Sequence, residues 1–211
     1  MKKTILLLSV AALLAAGCQC KQEPAATPAE TVMANILQRK SVRSYTDDTI
    51  PAQVMENLLR AAMAAPSGRN LQPWSFVVLT DKSQYDSIFA NNFNLPMFKA
   101  SAAIVVVCAD TTALMPPRDN RNADPLRQPN HLWRDDMGAV TENLLLAAEA
   151  HGLGACWTAC YPYPDRMEPV KRLLGLPATV LPYCVVPIGY PAGDNQPKDK
   201  WDPARIHHGR W

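Results

Sequence analysis

The sequence predicts an α+β or α/β domain, a sheet covered by helices, and three observations carry that expectation. Short β-branched and aromatic runs at 75–79, 104–108 and 180–188 have the length and composition of buried strands. Helical periodicities separate these runs. Residues 139–150 are apolar or small at nearly every position, which marks a helix buried near the centre. With 211 residues and 48% apolar content, the chain can form one domain with a sizeable core.

The elements follow in order. Residues 30–40 place Val32, Met33, Ile36 and Leu37 on one helical face and end in the basic knot Arg39-Lys40-Ser41-Val42-Arg43. A second helix opens at Pro51, near its first position, and its apolar pattern runs from Val54 to Ala64. Then comes Ala65-Pro66-Ser67-Gly68-Arg69-Asn70-Leu71-Gln72-Pro73-Trp74. Pro66 ends the helix, Gly68 permits unusual backbone angles and Pro73 favours an extended Gln72. Ser67, Asn70 and Gln72 are left on a stiff turn able to aim amides and N–H groups at a planar polar ligand. Read from these residues alone, it is equally an ordinary helix-to-strand turn.

Beyond the strand at 75–79, Asp81 caps a helix through Tyr85 and Ile88, and 102–109 is a strand buried on both faces. Residues 111–130 hold four prolines and no apolar periodicity, a long loop that is either functional or simply solvated. The longest helix begins at His131 or Leu132 and reaches His151, with Met137, Val140, Leu144, Leu145 and Ala148 inward. Gly152 and Gly154 stop it before a strand-like run, Ala155-Cys156-Trp157-Thr158. A helix over 165–174 and a strand over 180–188 complete the core, followed by a polar, proline-punctuated tail.

The N-terminus reads differently. Lys2-Lys3, an apolar run from Ile5 to Ala16 and small residues before Cys18 make a secretory signal peptide. Leu14-Ala15-Ala16-Gly17-Cys18 resembles a bacterial lipoprotein lipobox, with Ala15 where an apolar residue is usual; a secreted protein with an incidental Cys18 is the alternative. The expected organisation is a signal peptide at 1–17, a lipid-anchored tether at 18–28 carried by Cys18, and a folded domain at 29–211. That places the protein outside the cytoplasm, on a bacterial membrane.

The formal charge is +2, and loss of Lys2 and Lys3 with the leader leaves 19 basic against 19 acidic residues. A neutral domain offers no electrostatic reason to bind nucleic acid. The histidines and cysteines lack metal-ligand spacing, and no nucleophile elbow, Walker loop or Gly-x-Gly-x-x-Gly turn occurs. In an oxidising compartment Cys156 and Cys160 would pair with each other or with Cys108 or Cys184, unless they are small buried hydrophobes. Cations gather after the first helix and in the tail, at Lys198, Lys200 and Arg205, where each group either holds a phosphate or is merely solvated.

Taken together, four segments resemble the nitroreductase-like family of FMN-dependent oxidoreductases. They are Arg39-Lys40-Ser41-Val42-Arg43; the turn from Ala65 to Trp74; Asp136 with the run from Glu142 to Gly154 into Cys156-Trp157; and Ile188-Gly189-Tyr190-Pro191 with the basic tail. The resemblance spans residues 36–205. It implies a mostly antiparallel central sheet covered by helices, an intertwined homodimer, and non-covalent FMN in clefts lined by both subunits.

By the same resemblance Arg39, Lys40 and Ser41 would hold the phosphate and ribityl chain, and Arg43 would sit near the flavin N1/O2 edge. Pro66, Ser67, Gly68, Asn70 and Gln72 would approach from the partner subunit. Cys156, Trp157 and Thr158 would line the ring, and Lys200 with Arg205 would complete the phosphate cradle. Trp201 stands where the family often has a second basic residue. Asp136 and Glu149 would be structural, and no side chain would serve as a dedicated acid or base. The implied reaction is ping-pong hydride transfer from NAD(P)H through flavin N5 to a flat electron-poor acceptor such as a nitroaromatic, quinone or activated alkene. The loop over 111–130 would form part of the wall over the flavin, with Arg118, Arg121 or Arg127 near an anionic substrate, unless the loop is merely solvated. NAD(P)H is scarce outside the cytoplasm, so two other readings stand beside this one. They are an FMN protein fed by a membrane or protein donor, and a non-enzymatic flavin binder.

Overall fold

Residues 103–110 form the middle of the sheet, because alternate side chains of this strand are apolar in both directions. In the computed structural model, which describes residues 25–89, 93, 95–112, 114–115 and 128–211, the helices are α1 (Pro28–Gln38), α2 (Ala52–Met63), α3 (Tyr85–Phe89), α4 (Leu95–Ala100), α5 (Trp133–Ala150) and α6 (Pro164–Leu173). The strands are β1 (Trp74–Leu79), β2 (Ala103–Asp110), β3 (Leu114–Met115), β4 (Gln128–Pro129), β5 (Gly154–Ala155), β6 (Thr158–Ala159) and β7 (Val180–Gly189). The leader, Cys18, Cys20, most of the tether, and Arg118, Arg121 and Arg127 lie outside the described residues.

The main sheet runs β1-β2-β7-β5, with β6 also on β7, and every pairing is antiparallel. Val105, Val107 and Ala109 of β2 point into a core shared with Leu58 of α2 and with Met137, Val140 and Leu144 of α5. Ile104, Val106 and Cys108 point the other way, toward Tyr85, Phe89, Phe98 and Val170. The two-residue period of a strand thus builds two cores from one run.

Several expectations are corrected. The strand at 75–79 is not buried throughout: among the described residues β1 pairs only with β2, so it is an edge strand with Ser75 and Val78 exposed and Leu79 buried. The strand-like run 155–158 divides into β5 and β6, which pair with separate parts of β7. The ends of the long loop are not structureless, since Leu114 pairs with Pro129 and Met115 with Gln128. Helix α1 opens at Pro28, one residue before the expected start of the domain. Thr27 caps α1, with its hydroxyl accepting from the Glu30 N–H and the Glu30 carboxylate accepting from the Thr27 N–H.

The face of α1 that its apolar spacing defines is not covered. Val32, Met33, Ile36 and Leu37 are 58, 52, 45 and 67% exposed. A single chain buries no residue of this helix.

Among the described residues Cys108, Cys156, Cys160 and Cys184 are buried and free, so the pairings considered for them do not form. Burial pushes the thiols of Cys108, Cys160 and Cys184 from 9.0 up to about 12. Between those values the folded state holds more protons than the unfolded chain. The stabilising contribution is therefore complete below pH 9 and is lost as the pH rises toward 12. Melting temperatures at pH 8, 9.5 and 11 should fall across this series, and native protein at pH 8 should resist thiol alkylation until it is unfolded. A flat melting profile, or rapid native labelling of all three, would contradict this.

Candidate functional site

Helix α5 organises the candidate site, because the basic segment after α1, the helix α2 and the turn at Gly68 are each tied to it. Asn35 of α1 donates its amide to the Leu146 carbonyl at 3.0 Å. Arg39 Nε lies 3.1 Å from Glu142 Oε1, and Lys40 Nζ lies 3.0 Å from Glu149 Oε1. Asn143 donates to the Ala61 carbonyl of α2 at 3.0 Å. At the start of α5, Asp136 Oδ1 accepts the Gly68 N–H at 2.7 Å.

These bonds divide the predicted cations. Lys40 places its ammonium against Glu149 and the Gln38 carbonyl, so it acts as a strut between α1 and α5. Arg39 uses its Nε on Glu142, and a guanidinium with five donors retains others. Ser41 and Arg43 are exposed on either side of the fully buried Val42, an alternation that turns both outward. Arg43 Nη1 is 3.5 Å from the Ser41 carbonyl.

The segment is held against β5. Ser41 bridges to Ala155 in parallel, and the Val42 N–H donates to the Ala155 carbonyl at 3.0 Å. The buried Tyr45 hydroxyl lies 2.7 Å from the Val42 carbonyl and 3.1 Å from that of Pro187, and burial pushes its ionisation well above the usual phenol range. Gly154 is required for this approach: a Cβ there would stand 2.5–2.7 Å from Val42 side-chain atoms. The first and third sequence motifs are thereby joined.

The turn differs from its expected geometry. Gly68 serves a close approach, since a Cβ on it would lie 2.7 Å from Leu132 Cδ1. The left-handed residues are instead Arg69, Asn70 and Gln72, with φ of 52°, 57° and 49°. Gln72 is therefore not held extended by Pro73. Ser67 Oγ accepts its N–H at 3.0 Å, and its side-chain amide donates to Asn70 Oδ1 at 3.0 Å, bonds that stabilise the unusual conformation. Left-handed non-glycine residues cost on the order of 1–3 kcal/mol each and concentrate at functional sites. Pro66, Asn70 and Gln72 are exposed; Ser67 and Gly68 are half-buried.

Cys156 is buried, and its N–H donates to the Pro187 carbonyl at 3.3 Å; Trp157 and Thr158 are half-buried. Lys200 and Arg205 lie in an arm whose residues 196–211 are all exposed, and Arg205 Nε sits 3.0 Å from Asp202. The hydrogen bonds described within 196–206 are to near neighbours in sequence.

One grouping had no signal in the sequence. Trp133 meets Tyr161 and Tyr183 edge-on at 5.1 and 6.2 Å, and Trp157 meets Tyr183 at 5.8 Å. The Arg134 guanidinium covers Trp133 at 4.8 Å, and its Nε donates to the Tyr161 hydroxyl at 3.1 Å. These aromatics come from α5, the β5–β6 and β6–α6 connections and β7, so only folding brings them together.

The outward-facing Ser41 and Arg43 beside the paired Arg39, and the strained amide-bearing turn near the start of α5, are the polar groups the chain presents around this helix. An antiparallel sheet with helices on both faces, built around one long buried helix, defines a nitroreductase-like α+β protein. The profile of the Nitroreductase family matches residues 36–91 and 86–190, and the chain belongs to that family.

A relative from Archaeoglobus fulgidus is 37% identical over 186 residues, covering 86% of this chain and 99% of its own, and is described as a "Putative NADH dehydrogenase/NAD(P)H nitroreductase". A crystal structure of a protein so described from Parabacteroides distasonis superposes with a TM-score of 0.74 at 41% identity, covering 85% of this chain and 98% of that one. A structure from Desulfovibrio desulfuricans, "a putative nitroreductase in complex with fmn", is 26% identical with a TM-score of 0.67, covering 88% and 98%.

Proposed function

We propose that this protein is an FMN-dependent oxidoreductase that takes hydride from NAD(P)H and reduces a flat, electron-poor acceptor by a ping-pong cycle. The observation that carries the reading is the outward pair Ser41 and Arg43 on a segment pinned to β5, beside the paired Arg39. Ser41 and the free edge of Arg39 would hold the phosphate and ribityl chain, and Arg43 would face the N1/O2 edge. FMN held there would supply a hydride-accepting N5 position, and the two flat substrates would bind in turn. The protein's part is alignment and charge. The Arg43 guanidinium would stabilise negative charge at the N1/O2 edge, and the aromatic group around Trp157 would help exclude water.

The cleft is completed by a second copy in this reading. Asp136, at the turn, precedes Glu142 and Glu149 by six and thirteen residues of α5, about 9 and 20 Å of helix. The turn and the basic segment are thus apart in one chain. The uncovered face of α1 and the exposed arm, with Trp201 and Trp211 at 73 and 98% exposure, offer a surface for the partner. Lys200 and Arg205 would reach a cleft only through that arm.

Purified protein should be yellow and dimeric by light scattering. Anaerobic mixing with NADH and NADPH should bleach the flavin near neutral pH. Colourless monomer that takes up no FMN would overturn the assignment. A holoprotein bleached by neither nucleotide would favour a second reading, an extracytoplasmic flavoprotein fed by a membrane or protein donor, or a flavin binder without activity. That reading is motivated by the leader and Cys18. We assign Cys18 as the lipid-modified first residue of the mature chain, and Cys18→Ser should move the protein from the membrane fraction to the soluble one.

A further inference from the structure

We propose that Asp136 is a positioning residue that holds the turn at 67–72 in its ligand-ready conformation, an inference that rests on the FMN reading above. Its carboxylate is 4% exposed and sits at the start of α5, where the helix dipole favours negative charge. Oδ1 accepts the Gly68 N–H at 2.7 Å, and Oδ2 accepts from Asn130 Nδ2 at 3.5 Å. Asn130, itself 2% exposed, accepts the Leu132 N–H through its own oxygen at 3.0 Å. Leu132 closes the circuit by packing on the bare Cα of Gly68.

The circuit therefore ties three things together: the turn, the start of α5, and the last residue of the long loop. Immediately beyond the anchored Gly68 come the left-handed Arg69, Asn70 and Gln72. A segment with three disfavoured residues relaxes to other conformations unless its surroundings over-determine it. Asp136 touches no ligand in this account. It acts by raising the fraction of molecules whose turn is already in place, and apparent affinity scales with that fraction.

The test compares wild type, Asp136→Asn and the exchange variant Asn130→Asp/Asp136→Asn as full chains. In the single variant two side-chain amides oppose each other, and the charge that receives the Gly68 N–H is gone. The exchange restores the pattern: the amide at 136 accepts from Gly68 and donates to the carboxylate at 130, which still accepts from Leu132. The single variant should bind FMN about tenfold more weakly, as if the competent fraction had fallen to about a tenth. Amides at 67–72 of the apoprotein should exchange faster by a similar factor while those of α5 do not. Flavin reduction at saturating FMN should stay within about twofold of wild type, and the exchange variant should recover both affinity and exchange rate.

Unchanged affinity and unchanged exchange in Asp136→Asn would overturn the proposal, as would an exchange variant that rescues neither. Should the single variant fail to fold, an exchange variant with wild-type affinity supports the proposal and one that also fails to fold overturns it. If wild type itself takes up no FMN, the functional reading fails, while the amide-exchange comparison still decides whether Asp136 anchors the turn.

Discussion

Arg43→Ala should lower FMN affinity about tenfold and slow flavin reduction by about a hundredfold, at the low end of what loss of a preorganised charge-stabilising donor costs. Arg43 is exposed and its one described hydrogen bond, to the Ser41 carbonyl, is 3.5 Å long, so its removal disturbs little of the fold. The loss is electrostatic. On the proposed reading, negative charge on the ring would then have no cation beside it, and water would have to supply the stabilisation. Arg43→Lys should fall between, because an ammonium keeps the charge without the planar two-point geometry. Titration of apoprotein with FMN and stopped-flow reduction separate affinity from rate. Occupancy and rates equal to wild type in Arg43→Ala would reduce the residue to a solvated cation beyond a helix end.

Gly154→Ala should destabilise the protein by about 1–3 kcal/mol, the range for forcing an extra methyl into a filled core. The new methyl would meet Val42 Cβ, Cγ1 and Cγ2 at 2.5–2.7 Å, and none of these is the far end of a flexible chain. Val42 is fully buried and its N–H is bonded to Ala155, so relief requires the 41–43 segment to lift from β5. Ser41 and Arg43 ride on that segment, and FMN affinity should fall together with stability. Gly154→Ala/Val42→Ala removes the clashing Cγ atoms and should recover part of the affinity. Denaturant melts and FMN titration check both effects; a single variant as stable as wild type would show that β5 and the basic segment are not packed as described.

Much of the framework was legible because it depends on local pattern. The inward positions of α5 at Met137, Val140, Leu144, Leu145 and Ala148 are all buried, as their helical spacing requires. Within the 102–109 run, residues 103–109 form a strand buried on both faces, as expected of a continuous apolar strand. Elsewhere, pattern was not enough. Ser75-Phe76-Val77-Val78-Leu79 has the composition of a core strand, yet its position at the sheet edge is set by which strands pair. The apolar face of α1 was equally plain, but a helix pattern does not say whether its cover comes from the same chain.

The site divides the same way. Its segments were recognisable from their residues, whereas the division of labour among the cations was not. Arg39 and Lys40 are neighbours in sequence; only the rise of α5 brings Glu142 and Glu149 to them. Gly68 looked like a residue needed for its backbone freedom, and it is needed for its missing side chain. The aromatic group around Arg134 joins residues 133, 157, 161 and 183, a separation no local reading spans.

From its residues alone this chain determines a helix-covered sheet and one long buried helix, because periodicity and turn chemistry act over a few neighbouring residues, and its four motif segments carry the resemblance to the Nitroreductase family. Tertiary structure alone decided which cations face outward, which residues of the turn take left-handed backbone, and which carboxylate holds it. Those outcomes depend on distances between groups tens of residues apart, and such distances exist only once the sheet and α5 have packed.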